Sequence, residues 1–238
     1  KWEKLYQENN LLYTLFLENH DQVRSISRYG NDKELRYECA TCFATALYLM
    51  KGVPFIYQGQ ELGVRNQNCN SFDDFNDVEN IEFIKNNLPK LGEEKVFELL
   101  NNWSRDNARR PMPWNNSING GFSIVKPWIT PNQDIKEINV ELDKSSEKSI
   151  FNFYKKLLEF RKNTEAILTG VYTEIECKDA LIYTRENEFE KYLIICNFES
   201  ETNIKTDYYD GEIVICNYKK TLSNINRIYK PFECAVYK

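Results

Sequence analysis

The sequence predicts an α/β segment followed by an all-β segment, on three observations. Leu11 to Leu17 is a short, nearly continuous apolar run, the pattern of a strand buried on both faces, and Val53 to Tyr57 is another. Between them, apolar positions Leu35, Cys39, Phe43, Leu47 and Met50 recur three or four residues apart, so strand, helix and strand follow at the spacing of a parallel crossover. Beyond Gly170 the texture changes to short β-rich runs separated by turn residues, the pattern of a small antiparallel sandwich.

Taken in order, residues 1 to 10 read as the end of a helix, and the first apolar run stops abruptly at Glu18, Asn19, His20 and Asp21. A helix is expected from Asn31, capped by Asn31 or Asp32 and ended by Gly52 and Pro54. From Gly63 to about Ser149 the chain is polar and irregular, with helices expected over Val78 to Asn87 and Glu93 to Trp103; irregular segments this long are commonly functional loops. Helical spacing returns from Ser149 to Lys162. Strands are expected at Val171 to Ile175, Ala180 to Thr184, Tyr192 to Phe198, Ile204 to Thr206, Glu212 to Tyr218 and Phe232 to Tyr237. The boundary between the two segments is placed at Asn163 to Gly170, giving domains of residues 1–165 and 166–238.

Composition bounds the function. With 42% hydrophobic and 14% aromatic residues the chain has material for a core. A net charge of −5, with both signs interspersed, gives no basic footprint for a nucleic acid, and no run approaches the roughly 18 apolar residues of a membrane span. The first twenty residues lack the basic-then-apolar layout of a signal peptide. Seven cysteines, an odd number set mostly in apolar runs, fit free thiols in a reducing, cytoplasmic compartment. Cys39 and Cys42 form a C-x-x-C, but no second pair accompanies it and His20 is the only histidine, so helix packing is set against metal use and no metal site is expected.

Polar groups just beyond the carboxyl ends of parallel strands form the ligand-binding face of such a sheet, because loops vary there while strands hold them. His20 and Asp21 occupy that position: the aspartate can sit beside a developing cation or bind hydroxyls and the histidine can donate to a neutral ligand, or the aspartate simply caps a turn. Glu61, after the second run, is a second carboxylate candidate, against ordinary structural pairing. Arg105, Arg109 and Arg110 lie close together in a loop, where a guanidinium fork can clamp hydroxyls or pair with Asp106.

The string LFLENHDQVRSISRYGND resembles the strand-seven motif of glycoside hydrolase family 13, the α-amylase superfamily, and GVPFIYQGQELG resembles its strand-eight motif. SRDNARRPMPW, followed by GFS, KPW and KEINV, is similar to the oligo-1,6-glucosidase and α-glucosidase branch, as are SIFNFYKKLLEFRKN and the closing PFECAVYK. The resemblance runs along the whole chain. It implies the last two strands of a (β/α)8 TIM barrel with their helices, then a C-terminal antiparallel β-sandwich. It also implies a retaining glycosidase acting on terminal α-glucosidic bonds of short oligosaccharides, with no organic cofactor. Relatives that bind calcium do so in a loop upstream of this segment.

By the same resemblance Asp21 is the family's third essential carboxylate, which stabilises the transition state without attacking; His20 contacts the same sugar, Arg105 holds the terminal glucose, and Gln22 and Glu61 lie near the substrate entrance. Glu18, Val23, Arg110 and Pro113 stand where asparagine, proline, threonine and glutamine are common. The family's nucleophilic aspartate and acid-base glutamate precede the first residue here. The chain is therefore expected to be inactive alone and to be one piece of a larger polypeptide that supplies the rest of the barrel. Trehalose-6-phosphate hydrolase, sucrose isomerase and dextran glucosidase are rivals within the class. Outside it stand a non-catalytic relative serving binding or assembly, and a sugar-binding module using Trp103, Trp114 and Trp128.

Overall fold

A computed structural model describes residues 2–9, 11–198, 200–208, 210–219 and 223–238. In chain order the elements are α1 (Trp2–Glu8), β1 (Thr14–Leu15), α2 (Ser25–Tyr29), α3 (Arg36–Tyr48), β2 (Val53–Pro54), α4 (Val78–Leu91), α5 (Glu93–Trp103), α6 (Asp106–Arg109), α7 (Val140–Ser145), α8 (Ile150–Lys162) and α9 (Glu165–Leu168). Seven strands follow: β3 (Val171–Ile175), β4 (Ala180–Glu186), β5 (Lys191–Asn197), β6 (Thr202–Ile204), β7 (Ile213–Cys216), β8 (Arg227–Tyr229) and β9 (Cys234–Tyr237). The chain divides into two compact units, residues 1–16, 33–55 and 152–238, and residues 17–32 and 56–151.

In the first unit β1 and β2 pair in parallel, Thr14 with Val53 and Leu15 with Pro54. The Val53 and Phe55 amides donate to the Tyr13 and Leu15 carbonyls at 2.8 Å. The expected strand over Leu11 to Leu17 contracts to two residues, and only Leu15 is fully buried in it; Leu11, Leu12 and Phe16 stay exposed. A strand is buried on both faces only when neighbours flank it, and among the described residues β1 has one partner strand. The expected helix from Asn31 begins instead at Arg36, because Asp32 spends its carboxylate on the Ser27 hydroxyl, 2.6 Å away, and Leu35 at the cap offers no side-chain acceptor. The expected helix end at residues 1–10 is α1; residues 1 and 10 lie outside the described residues.

Strands β3, β4, β5, β9 and β7 form one antiparallel sheet in that order. Two faces of this sheet are covered within the unit. The β6–β8 ribbon contributes Ile204 and Tyr229 to a core with Ile182, Leu193, Ile195, Ala235 and Tyr237. On the other face α3 lies against the sheet: Tyr183 Oη donates to the Ala46 carbonyl at 3.2 Å, Cys42 Sγ to the Asn197 carbonyl at 3.6 Å, and Asn217 Nδ2 to the Glu38 carbonyl at 3.1 Å. The C-x-x-C thus packs: Cys39 and Cys42 are buried, neither is in a disulfide, and burial pushes the Cys42 thiol well up. Gly170 leads into β3 because a Cβ there would run into the Ala166 and Glu186 carbonyl oxygens.

In the second unit α4 and α5 form a hairpin around Cys69, Phe75, Val96 and Leu100, with the Phe72 and Phe97 rings stacked 4.2 Å apart. Asp77 caps α4 by accepting from the Glu79 amide at 2.8 Å. The helix runs through Pro89 to Leu91, past the expected end at Asn87, and closes at Gly92, where φ is +77°. Trp114 and Trp128 in the following loop are exposed.

The turn between α3 and β2 is fixed by Arg161 of α8, whose buried guanidinium donates to the carbonyls of Tyr48 and Met50 at 2.7 Å and to that of Gly52. Arg161→Leu removes donors from several buried acceptors at once, and chemical denaturation is expected to show a loss of about 2–4 kcal/mol. A loss below about 0.5 kcal/mol, the range of a neutral surface change, contradicts this role.

Candidate functional site

The loop after β1 is shaped by a buried ion pair. Arg24 Nη1 lies 2.9 Å from Glu18 Oε2, with both side chains almost wholly removed from water. Glu18 Oε1 accepts from the Ser25 amide and hydroxyl at 2.8 and 2.7 Å, and the Arg24 guanidinium also donates to the Gln58 carbonyl at 2.8 Å and the Asn107 carbonyl at 3.3 Å. Breaking one side of such a pair typically costs about 3–5 kcal/mol, because the partner is left charged and dry. Arg24 therefore draws together three chain segments, those around Glu18, Gln58 and Asn107. The turn between them, Asn19 to Gln22, is held by the Asp21 amide donating to Asn19 Oδ1 at 2.8 Å.

This turn presents Asp21 to two arginines. Arg105 Nη1 and Arg109 Nη2 donate to Asp21 Oδ1 at 3.2 and 3.1 Å, and His20 Nε2 lies 3.1 Å from Asp21 Oδ2. Arg109 Nε also donates to the His20 carbonyl at 2.9 Å. Both arginines reach a second carboxylate, Asp77: Arg105 binds it with a fork, Nε to Oδ2 at 2.8 Å and Nη2 to Oδ1 at 3.1 Å, and Arg109 Nη1 donates to Oδ2. The result is a closed ring of two carboxylates and two guanidiniums. Its two ends differ: the Asp21 side chain is 47% exposed, whereas that of Asp77 is 3% exposed.

Asp77 is supported from behind. Asp106 Oδ2 accepts from the Asn76 amide at 2.7 Å, the Asp77 amide at 3.1 Å and Asn80 Nδ2 at 2.9 Å. The Arg105 fork holds the Asp77 carboxyl below the usual carboxylate range, with burial opposing it. Asp106, weighed on sequence as an arginine partner, instead fixes backbone amides, and the arginines go to Asp21 and Asp77. Arg110 turns away, donating to the Thr130 carbonyl at 2.8 Å and to Cys69 Sγ at 3.0 Å.

Of the residues singled out on sequence, His20, Asp21 and Arg105 are brought together. Gln22 points elsewhere: its Oε1 accepts from Arg28 Nη1 at 2.8 Å, and Arg28 lies over the Tyr29 and Trp103 rings. Glu61 sits in a 3-10 turn between two left-handed glycines, Gly59 and Gly63, and no hydrogen bond among the described residues joins it to the ring. Burial pushes its carboxyl up, opposed by the backbone N–H groups of Glu61 and Gly59. Sequence reasoning passed over Asp77 and the Glu18–Arg24 pair. The signal for Asp77 is an aspartate two residues before Glu79 at the start of a helix, which reads as a plain cap.

Chemically, the exposed end of the ring offers a carboxylate oxygen, an imidazole and guanidinium N–H groups on one small surface. That set suits a neutral polyhydroxylated ligand: the ring's formal charges cancel, and acceptor and donors lie within about one hydrogen bond of each other. Among the described residues no group of three side chains is disposed to hold a metal ion, and no helix is long and apolar enough to cross a membrane.

The Alpha-amylase family, described as alpha amylase, catalytic domain, matches residues 1–170. Oligo-1,6-glucosidase of Bacillus cereus is 40% identical over the whole of this chain and 44% of its own length, and that of Parageobacillus thermoglucosidasius is 38% identical over the same shares. Among solved structures, trehalose-6-phosphate hydrolase of Bacillus licheniformis superposes with a TM-score of 0.93 at 35% identity, over 99% of this chain and 44% of that one. The chain thus spans less than half the length of these relatives. On the match over residues 1–170, and on sequence and fold together, the chain belongs to the α-amylase family.

Proposed function

We propose that this chain is the part of a retaining α-glucosidase that grips the terminal glucose of a short oligosaccharide, with Asp21 as the transition-state stabiliser. On this reading residues 1–165 supply the last two strands and helices of a (β/α)8 barrel with the long loop after its final strand, residues 166–238 form a C-terminal β-sandwich, and the nucleophile and acid-base carboxyl come from a segment outside this chain. The observation that carries the reading is the approach of Arg105 Nη1 to within 3.2 Å of Asp21 Oδ1, since these residues are 84 positions apart and have no local reason to meet.

Each group has a task that its environment suits. As the anomeric carbon gains positive charge, the Asp21 carboxylate stabilises it and accepts from ring hydroxyls, an interaction that strengthens toward the oxocarbenium-like transition state. Arg105 and His20 donate to sugar oxygens and set the orientation of the ring. Glu61 and Gln22, which no hydrogen bond among the described residues joins to the ring of carboxylates and guanidiniums, are assigned by the family resemblance to the substrate entrance. The names of the relatives, oligo-1,6-glucosidase and trehalose-6-phosphate hydrolase, support a terminal α-linked glucose as the common element of the substrate.

In the polypeptide completed by the remaining barrel strands, Asp21→Asn is expected to lower kcat for an aryl α-glucoside by about 10²–10³-fold. Near-wild-type turnover with an intact fold rules out the assigned role. Arg105→Ala is expected to raise KM about tenfold or more, a larger effect than its loss of fold stability; an unchanged KM counts against terminal-glucose recognition. The present chain alone is expected to show no turnover, and hydrolysis abolished by Asp21→Ala would overturn the assignment of the other carboxyls to a separate segment.

A further inference from the structure

We propose that Asp77 is the positioning residue of the glucose clamp, holding Arg105 and Arg109 from behind so that their remaining N–H groups face the sugar. The inference rests on the reading of Arg105 above and deepens it.

A guanidinium on a flexible stem loses rotamer freedom when fixed, and a clamp that must be fixed anew for each substrate gives up part of its binding energy to do so. Here the ordering is done in advance. Arg105 has a two-point fork on Asp77, which fixes both the position and the plane of its guanidinium. Arg109 Nη1 joins the same Oδ2, and its Nε is spent on the His20 carbonyl. Each arginine keeps one terminal nitrogen for Asp21 Oδ1, at 3.2 Å for Arg105 and 3.1 Å for Arg109.

Asp77 is built to stay put. Its side chain is 3% exposed, its backbone amide is held by Asp106 Oδ2, and Oδ1 is shared with the Glu79 amide at the head of α4. The other acidic neighbour, Glu79, lies 3.2 Å from Arg105 Nη2 but is 73% exposed, so solvent screening and side-chain freedom leave it a poor anchor. A further consequence follows for Asp21. An arginine pair tethered only to Asp21 would follow that carboxylate as it moves onto a sugar; with Asp77 holding the far side, Asp21 can exchange an arginine contact for a substrate hydroxyl while the guanidiniums remain in place.

Asp77 also caps α4, so its removal has to be separated from a loss of helix stability. Asp77→Ser does this: serine is an equally good cap but has no carboxylate for the fork. In the completed polypeptide, Tm is expected to stay within a few degrees, corresponding to about 1 kcal/mol or less. The Arg105 Nε–H signal in a 15N-edited spectrum is expected to lose its protection from exchange, and KM for an aryl α-glucoside to rise about tenfold, with kcat falling less. In an Arg105→Ala background the same change is expected to add under about threefold, since residues acting through one contact are not additive. The direction of the Asp77 shift sets a pH arm: its folded pKa lies below the ordinary value of about 3.9, so the fork is present above that value and is lost only as pH falls through the lower, folded one. Protection of Arg105 Nε–H is therefore expected to persist at pH 4.5.

Unchanged protection in Asp77→Ser overturns the positioning role. Released arginines with unchanged KM overturn instead the sugar-clamp reading beneath it, and Arg105→Ala then also leaves KM unchanged. Should Asp77→Ser fail to fold, Asp77→Asn, with the same shape and no charge, is held to the same criteria.

Discussion

A carboxylate taken out of water must find donors, and the Asp77 carboxylate finds them in two arginines and a helix N-terminus. That requirement organises the site. The fork fixes Arg105, Arg105 and Arg109 fix the exposed Asp21, and Asp106 fixes the backbone of Asp77 in turn. Replace the anchor and what remains is a set of charged side chains on loops, each free to turn to solvent. The site is therefore held by desolvation at its inner end and left open to a ligand at its outer end.

The same logic recurs in the buried pair of Glu18 and Arg24. The family resemblance leads one to expect asparagine at position 18, and on sequence Glu18 reads as a local irregularity. In the fold it is matched by Arg24, by the Ser25 amide and by the Ser25 hydroxyl. Because Arg24 also takes the carbonyls of Gln58 and Asn107, the departure is absorbed into the network that joins the loop of Asp21 to the helix carrying Arg109. An asparagine there would leave the guanidinium without its countercharge, so the pair has to be treated as one unit in any substitution.

What could be read from the sequence was whatever carries a local signal. The helix at Arg36–Tyr48, the hairpin helices beginning at Val78 and Glu93, and most of the short strands beyond Gly170 announce themselves by period and by flanking turn residues. The convergence of His20, Asp21 and Arg105 was legible through the family resemblance, which joins the polar pair at a strand end to an arginine in a distant loop. Long-range matching was not. Asp77 reads as a cap because nothing nearby says that residues 28 and 32 positions later will bind it. The strand at Arg227–Tyr229 escaped notice because only Ile228 and Tyr229 carry strand character between polar neighbours. The length of β1 failed in the opposite direction, since an apolar run states a capacity for burial but not whether neighbours are present to supply it.

On the proposed reading Asp21 and Arg105 meet a single glucose at the open end of a ring anchored by Asp77. A crystal structure of the completed polypeptide with 1-deoxynojirimycin, a glucose-shaped iminosugar, tests it directly. Hydrogen bonds are expected between the one sugar ring and both Asp21 Oδ and a terminal nitrogen of Arg105, with the Arg105 fork on Asp77 unchanged. A sugar bound elsewhere, or one that touches neither residue while their mutual contact persists, contradicts it.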